Sequence, residues 1–106
     1  MPKFLFAASY TNTGMKGLLK EGGSGRQKQI EKMIQELGGE LEAFYYAFGD
    51  TDVYVIAEVP DSSTAAAISL AVNSSGAVQL KTVPLLTAKD LDQASRKPLT
   101  YREPGT

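Results

Sequence analysis

The sequence predicts an α+β fold of the ferredoxin-like βαββαβ type, a four-stranded antiparallel sheet with its helices on one face. Strand-like and helix-periodic segments alternate in the order β-α-β-β-α-β, and a further short helix follows. The stretch from Glu40 to Asp61 predicts two strands joined by the turn Gly49-Asp50-Thr51-Asp52, which makes a hairpin at the centre of the pairing. Because β-α-β crossovers are right-handed, both main helices must cover the same face of the sheet.

The first half of the chain supplies one strand and two helical pieces. Lys3 to Tyr10 is the first strand, and a short helical turn follows through Leu18 and Leu19. Gly22-Gly23-Ser24-Gly25 interrupts the helix, and Ser24 with Gln27 three residues later fits a capping box. A second helix then carries apolar residues at helical spacing, namely Ile30, Met33, Ile34 and Leu37. Gly38-Gly39 ends it by a left-handed cap.

The second half begins with the hairpin strands, Leu41–Phe48 and Val53–Val59. Asp61 is a good N-cap for an Ala-rich helix from Thr64 to about Val72, whose small residues allow it to lie close to the sheet. Val78–Leu86 is the fourth strand, and Pro84 places it at an edge. Thr87 caps a last helix, Ala88 to about Arg96, before a loose tail.

Composition excludes several classes of function. The 106 residues carry 11 basic and 12 acidic side chains, and this balance argues against nucleic-acid or membrane partners. The absence of Cys and His excludes thiolate metal sites, a cysteine nucleophile and a His-ligated haem, and we expect no metal and no cofactor. No apolar run is long enough for a membrane span, so we expect a cytoplasmic protein. We expect a single domain over residues 1–106, with a core over 3–86 and a C-terminal helix and tail over 87–106.

Alternation along the strands predicts two faces of different character. The set expected under the helices is aliphatic: Leu5, Ala7, Leu41, Ala43, Ala47, Val53, Val55, Ala57 and Val59. The set expected on the bare face is aromatic: Phe4, Phe6, Tyr10, Phe44, Tyr46, Phe48, Tyr54, Ile56 and Glu58. The area of this aromatic patch exceeds the exposed apolar area that a soluble monomer usually tolerates. We therefore expect a homodimer, or a higher even oligomer, with its sheets face to face. The alternative is coverage by the C-terminal helix and tail.

Candidate site residues lie on the aromatic set and at one helix start. Glu58 among Tyr10, Tyr46 and Tyr54 would have its pKa raised by desolvation, as a general base requires, and the tyrosine hydroxyls could orient a small ligand. The simpler interpretation of Glu58 is a structural residue that forms a hydrogen bond at the dimer interface. Arg26, after the glycine-rich break, could hold an anion with the helix N-terminus, although a structural break with a cap explains that stretch more simply.

Asp50 and Asp52 are two neighbouring carboxylates that could bind a hard cation, but without a third ligand they are more simply turn residues.

Several of these residues resemble the pattern of the GYD family, small bacterial and archaeal proteins of unassigned function. The resemblance rests on Tyr10-Thr11, Gly14, Leu18, Gly22-Gly23-Ser24, Arg26, Gly38-Gly39, Tyr45, Gly49, Asp52, the run Val53 to Glu58, Pro60-Asp61 and the Ala-rich helix. It covers roughly Lys3 to Leu86 and implies a fold similar to the dimeric α+β barrels. The chain departs from the pattern at Thr51, where the family has an aromatic residue.

Two functional hypotheses follow from the residues and the resemblance. The first is a small-molecule-binding or interaction module that forms a homodimer. The alternative is a cofactor-independent enzyme of the oxygenase or isomerase type, acting on a small aromatic or carbonyl compound in the barrel. The alternative rests on analogy with dimeric α+β barrels, and a fold does not fix a function.

Overall fold

The strands and helices follow the predicted order. In the computed structural model, which describes residues 1–106, the elements are β1 (Lys3–Tyr10), α1 (Asn12–Glu21), α2 (Gly23–Glu36), β2 (Glu40–Tyr46), β3 (Val53–Glu58), α3 (Ser62–Ser74), β4 (Val78–Leu85) and α4 (Ala88–Ser95). The strands form one antiparallel sheet in the order β2-β3-β1-β4. The fold is therefore α+β and ferredoxin-like. The hairpin of β2 and β3 is confirmed, but β2 lies at an edge of the sheet, so the hairpin is not at the centre of the pairing.

The helices begin and end where their capping residues predict, with one exception. Gly22 has a φ of +88°, which a residue with a side chain rarely adopts, and it separates α1 from α2 as predicted. Gly22 is also the N-cap of α2 and has no capping side chain, so the expected capping box of Ser24 and Gln27 is wrong. Asp61 caps α3 as predicted, because its carboxylate accepts from the backbone N–H of Thr64 at 2.8 Å.

The two helices α2 and α3 pack on the same face of the sheet, which we call the helix-covered face. The opposite side is called the open face. Ile34 of α2 and Ile68 of α3 join a buried cluster with strand residues that all point to the helix-covered face, namely Phe4, Phe6, Ala8, Val53, Val55 and Ala57. This cluster is the core of the protein.

The predicted assignment of β1 to the two faces is wrong. Phe4 and Phe6 are buried under the helices, whereas Leu5 and Ala7 lie on the open face, opposite Ile56 and Tyr54 of β3. Both alternating sets of β1 are apolar, so alternation within the strand does not determine which set the helices cover. Pairing with β3 determines it, because residues directly opposite each other in an antiparallel pair lie on the same face.

A β-bulge explains the mixed outcome in β2. Glu42 is one extra residue in β2, so Leu41 lies on the helix-covered face and Ala43 on the open face. After the bulge, Phe44 and Tyr46 return to the helix-covered face, opposite Val55 and Val53. The prediction had placed Leu41 with Ala43 under the helices and Phe44 with Tyr46 on the bare face, and it is correct only for Leu41.

The C-terminal segment projects from the rest of the protein. Thr87 caps α4 in a capping box with Asp90, as its sequence indicates, but every residue from Leu86 to Thr106 is exposed. The radius of gyration is 16.7 Å, against roughly 13 Å for a compact chain of this length, because this segment extends outward. It leaves the open face uncovered, so the alternative of coverage by the C-terminal helix is wrong.

Candidate functional site

An apolar cavity lies between the helix-covered face and the two helices α2 and α3. It has a volume of about 60 Å³, and thirteen of its fourteen lining residues are hydrophobic. Its walls include Ile30 and Met33 of α2, Ile68 of α3, and Phe44 and Leu80 of the sheet. α2 lies over β2 and α3 over β4, so the two helices are separated over the middle of the sheet, where Phe6, Ala8 and Val55 form the floor of the cavity. The cavity is the consequence of this spacing.

A surface groove between α1 and α3 continues from the cavity. Its volume is about 370 Å³, and it is lined by residues of α1 such as Thr13 and Glu21 and by the end of α3. Four residues line both spaces: Tyr10, Arg26, Val72 and Val78. We call the junction formed by these four residues the neck. A ligand at the neck would have the apolar walls of the cavity on one side and, on the other, a groove lined by both polar and apolar residues.

Tyr10 and Arg26 are the polar side chains of the neck. Burial raises the pKa of the Tyr10 phenol, and the Arg26 guanidinium beside it partly opposes that rise. Tyr10 is held at the end of β1 by its backbone N–H, which donates to the Asp52 carboxylate at 2.8 Å. The Nη1 atom of Arg26 lies 4.0 Å from Oε1 of Glu21, at the limit of an ion pair. The neck therefore presents one phenol and one weakly paired cation.

Tyr46 stands next to the neck rather than in it. Its hydroxyl donates to the backbone carbonyl of Gly23 at 3.0 Å and so connects β2 to the start of α2. Burial is also the main cause that raises the pKa of Tyr46. A side chain at Gly23 would approach the Tyr46 ring to 3.2 Å, which explains the small residue there. Tyr46 thus fixes the position of the helix that carries Arg26.

A close approach at Gly14 positions α1 as the outer wall of the groove. A Cβ atom at Gly14 would lie 1.8 Å from the carbonyl oxygen of Ala77, which precedes β4. The backbone N–H of Thr11 donates to that same oxygen at 3.0 Å. Glycine is therefore the residue that allows α1 to rest against this loop.

The structure separates the predicted site residues into two groups. Tyr10, Arg26 and Tyr46 lie together on the helix-covered side. Tyr54 and Glu58 lie on the open face, opposite Ala7 and Lys3 of β1. The prediction that Glu58 sits among three tyrosines is therefore wrong for Tyr10 and Tyr46. Whether any of the five binds a ligand stays a prediction.

Sequence reasoning missed the apolar side chains that form the cavity. The helical spacing of Ile30 and Met33 indicated only the apolar side of a helix, although both line the cavity together with Ile68 of α3. The small residues of α3 were the available signal, because an Ala-rich helix fills less of the space beside it.

The neighbouring carboxylates Asp50 and Asp52 belong to the turn between β2 and β3. The Asp52 carboxylate accepts from the Tyr10 backbone, and its own N–H donates to the Ala8 carbonyl at 2.8 Å. The structure contains no group of three acidic residues that could hold a metal ion. Asp52 therefore ties the turn to β1.

Comparisons with known proteins give one match. The family model described as GYD domain matches residues 4–95 of the 106-residue chain, from β1 to the end of α4. No curated protein and no solved structure matches the chain. None of the helices is both long and apolar enough to cross a bilayer.

Proposed function

Because the chain belongs to the GYD domain family, whose model matches residues spanning all four strands, we propose that it is a small-molecule-binding module. The ligand site is the cavity between the helices and the sheet, together with the groove between α1 and α3. The observation that carries this proposal is the neck, where an apolar cavity meets a polar groove at Tyr10 and Arg26. Small-molecule sites combine apolar walls with a few such polar groups.

The energetics of the cavity support a ligand. At ~24 cal/mol per Å³, an unfilled cavity of about 60 Å³ costs about 1.4 kcal/mol of stability. One larger side chain from α3 could fill that space, since Val72 lines both the cavity and the groove. The groove, at about 370 Å³, falls within the range of ~300–1,000 Å³ typical of ligand pockets.

A cavity-filling variant tests the proposal. Native mass spectrometry of freshly purified protein reports any retained molecule, and methyl NMR under xenon gas, a probe smaller than benzene, reports access to the cavity. We expect binding by the wild type and its loss in Val72→Phe. The matched control is Leu70→Phe, at a side chain of the same helix that is 73% exposed, and it should bind as the wild type does. A wild type that binds neither probe nor retained molecule, or equal binding by Val72→Phe, would contradict the proposal.

The proposal includes a homodimer built on the open face. The central row of that face crosses all four strands with apolar residues, Ala43, Ile56, Leu5 and Val83. Tyr54 beside this row is 43% exposed, and no element of the chain covers it. A second copy would remove this continuous surface from water, at about 25 cal/mol per Å² of apolar area.

Sedimentation across a concentration series tests the dimer. Ile56→Asp places a charge in the central row and should give a folded monomer, whereas Leu70→Asp, on the exposed side of α3, should leave the dimer intact. Phe6→Asp is unsuitable, because Phe6 is buried under the helices and the change would test folding. A wild type that stays monomeric at high micromolar concentration would exclude the dimer.

The alternative of a cofactor-independent enzyme would place its substrate in the barrel between two open faces, not in the cavity between the helices and the sheet. Glu58 lies on the open face, where its neighbours across the strands are Lys3 and Glu40. The cavity and its neck are on the other side of the sheet, so Glu58 cannot act on a molecule bound there. The binding module is therefore the function that the arrangement supports best.

A further inference from the structure

The side chains of the neck indicate which class of ligand the site takes. Resting on the proposed binding function, we propose that the ligand is a small monocarboxylic acid in its anionic form. Its short hydrocarbon part fills the cavity between α2 and α3, and its carboxylate lies against Arg26 and Tyr10. Three features of the site carry this assignment: the weak pairing of Arg26, the free hydroxyl of Tyr10 and the size of the cavity.

Arg26 is a cation in the wall of an otherwise apolar cavity. Its side chain is 33% exposed, and the one carboxylate near it, Glu21, approaches no closer than 4.0 Å. A guanidinium carries five N–H donors in a flat fork that matches a carboxylate in two parallel hydrogen bonds. The Tyr10 oxygen beside Arg26 is neutral, so the guanidinium is mostly removed from water without a close anionic partner. Such a charge is costly to bury, and an incoming carboxylate would offset that cost.

Tyr10 supplies a second donor at the same place. Burial raises the pKa of its phenol, so the hydroxyl stays protonated at neutral pH and can donate. No acceptor of the protein takes this proton, in contrast to Tyr46, whose hydroxyl is committed to the Gly23 carbonyl. Arg26 can only donate, and one of its N–H groups is directed to the Tyr10 oxygen. The phenolic proton and the remaining N–H groups of the guanidinium are left for an acceptor. A carboxylate has the acceptor sites for both.

The volumes limit the rest of the ligand. The cavity of about 60 Å³ is less than half the ~150 Å³ that admits benzene, so it suits an aliphatic tail of about three carbons. Glu21 lines the groove next to Arg26 and would repel a second carboxylate there. The site therefore favours short monocarboxylates over dicarboxylates and over long acyl chains.

A chain-length series with matched neutral analogues tests the inference. The probes are straight-chain monocarboxylates from acetate to octanoate, each paired with its primary amide, titrated into ¹⁵N-labelled protein at pH 7. We expect affinity to rise about fourfold per methylene and to level off once the cavity is filled, near butanoate or pentanoate. Each acid that fits should bind at least tenfold more tightly than its amide.

Variants of the neck separate the contribution of Arg26 from general electrostatics. Arg26→Gln should remove the preference for acid over amide, so that each acid binds about as tightly as its amide, while Arg26→Lys should keep part of that preference. Tyr10→Phe should weaken the acids several-fold. The matched control is Lys28→Gln on the exposed side of α2. It changes the net charge by the same amount as Arg26→Gln and should leave the affinities for acids and amides unchanged.

The outcomes distinguish the ligand class from the binding function itself. Equal binding of acids and amides by the wild type would overturn the ligand class and leave the binding module in place. An equal loss in Lys28→Gln and Arg26→Gln, or tighter binding of succinate than of butanoate, would also overturn it. If neither acids, amides nor xenon bind, the proposed function fails as well.

Discussion

Replacement of Gly14 by alanine should detach α1 and open the groove. The added Cβ atom would lie 1.8 Å from the Ala77 carbonyl oxygen and 2.8 Å from its carbon, both of them backbone atoms that cannot rotate away. Ordinary contact at this position begins at 3.4 Å, so α1 must move by roughly 1.5 Å. That movement breaks the hydrogen bond from the Thr11 backbone to Ala77 and the one from its hydroxyl to Gly76, each 3.0 Å long.

The magnitude follows from these contacts. Two hydrogen bonds at about 1 kcal/mol each and an overpacking cost of at least 1 kcal/mol oppose a gain of about 1 kcal/mol, which alanine contributes over glycine in a helix. The free energy of unfolding should therefore fall by about 2 kcal/mol, which corresponds to a decrease in Tm of about 10 °C. Because α1 forms one wall of the groove, ligand binding should weaken at the same time.

The matched control is Gly17→Ala on the same helix. No atom lies within 4 Å of a Cβ at Gly17, so only the helix preference acts and stability should rise by up to about 1 kcal/mol. Urea denaturation followed by circular dichroism gives both values. If Gly14→Ala is as stable as Gly17→Ala, the contact between α1 and the Ala77 carbonyl does not hold the helix, and the explanation for Gly14 is refuted.

Three further predictions concern the core, a helix cap and the neck. Ile34→Ala should destabilise the protein by about 2–5 kcal/mol in urea denaturation, because Ile34 is 2% exposed and its removal leaves a cavity; a smaller loss would show that α2 can close over the gap. The hydrogen bonds from Thr64 lower the pKa of Asp61, so its cap stabilises α3 fully above the unfolded pKa of about 4 and less as pH falls through the lower folded pKa. The Tm difference between the wild type and Asp61→Ala should accordingly shrink below pH 4, and a pH-independent difference would contradict this account. Burial raises the pKa of Tyr10, so the difference between the ultraviolet titrations of the wild type and Tyr10→Phe should be that of a phenol that ionises above pH 10; a difference centred at or below pH 10 would contradict its burial.

Local signals predicted the elements, because each acts within a few residues. Asp61 and Thr87 begin helices through hydrogen bonds to residues three positions later, and Gly22 ends one through its positive φ. These effects need no knowledge of the rest of the chain. The order of strands then limited the topology, since right-handed crossovers leave few alternatives.

The assignment of strand residues to the two faces of the sheet could not be predicted in the same way. Phe4 and Leu5 are both apolar, and their faces follow from which residue of β3 stands opposite, a contact across more than fifty positions. Arg26 and Tyr10 were identified as candidates from their residue types, but the cavity between them depends on the distance between α2 and α3. That distance is a property of packing, and neither helix encodes it alone.

The extra residue in β2 makes the length of that strand as important as its composition. Leu41 and Phe44 share a face only because Glu42 occupies a position without a counterpart in β3. Deletion of Glu42 would leave Leu41 and Phe44 two positions apart, which is the regular spacing of residues on one face, so both would keep their faces in a strand without a bulge. Regular pairing at the present length would instead place Leu41 and Phe44 on opposite faces of the sheet. The strand is therefore one residue longer than regular pairing with β3 requires, and the bulge reconciles that length with the burial of both side chains.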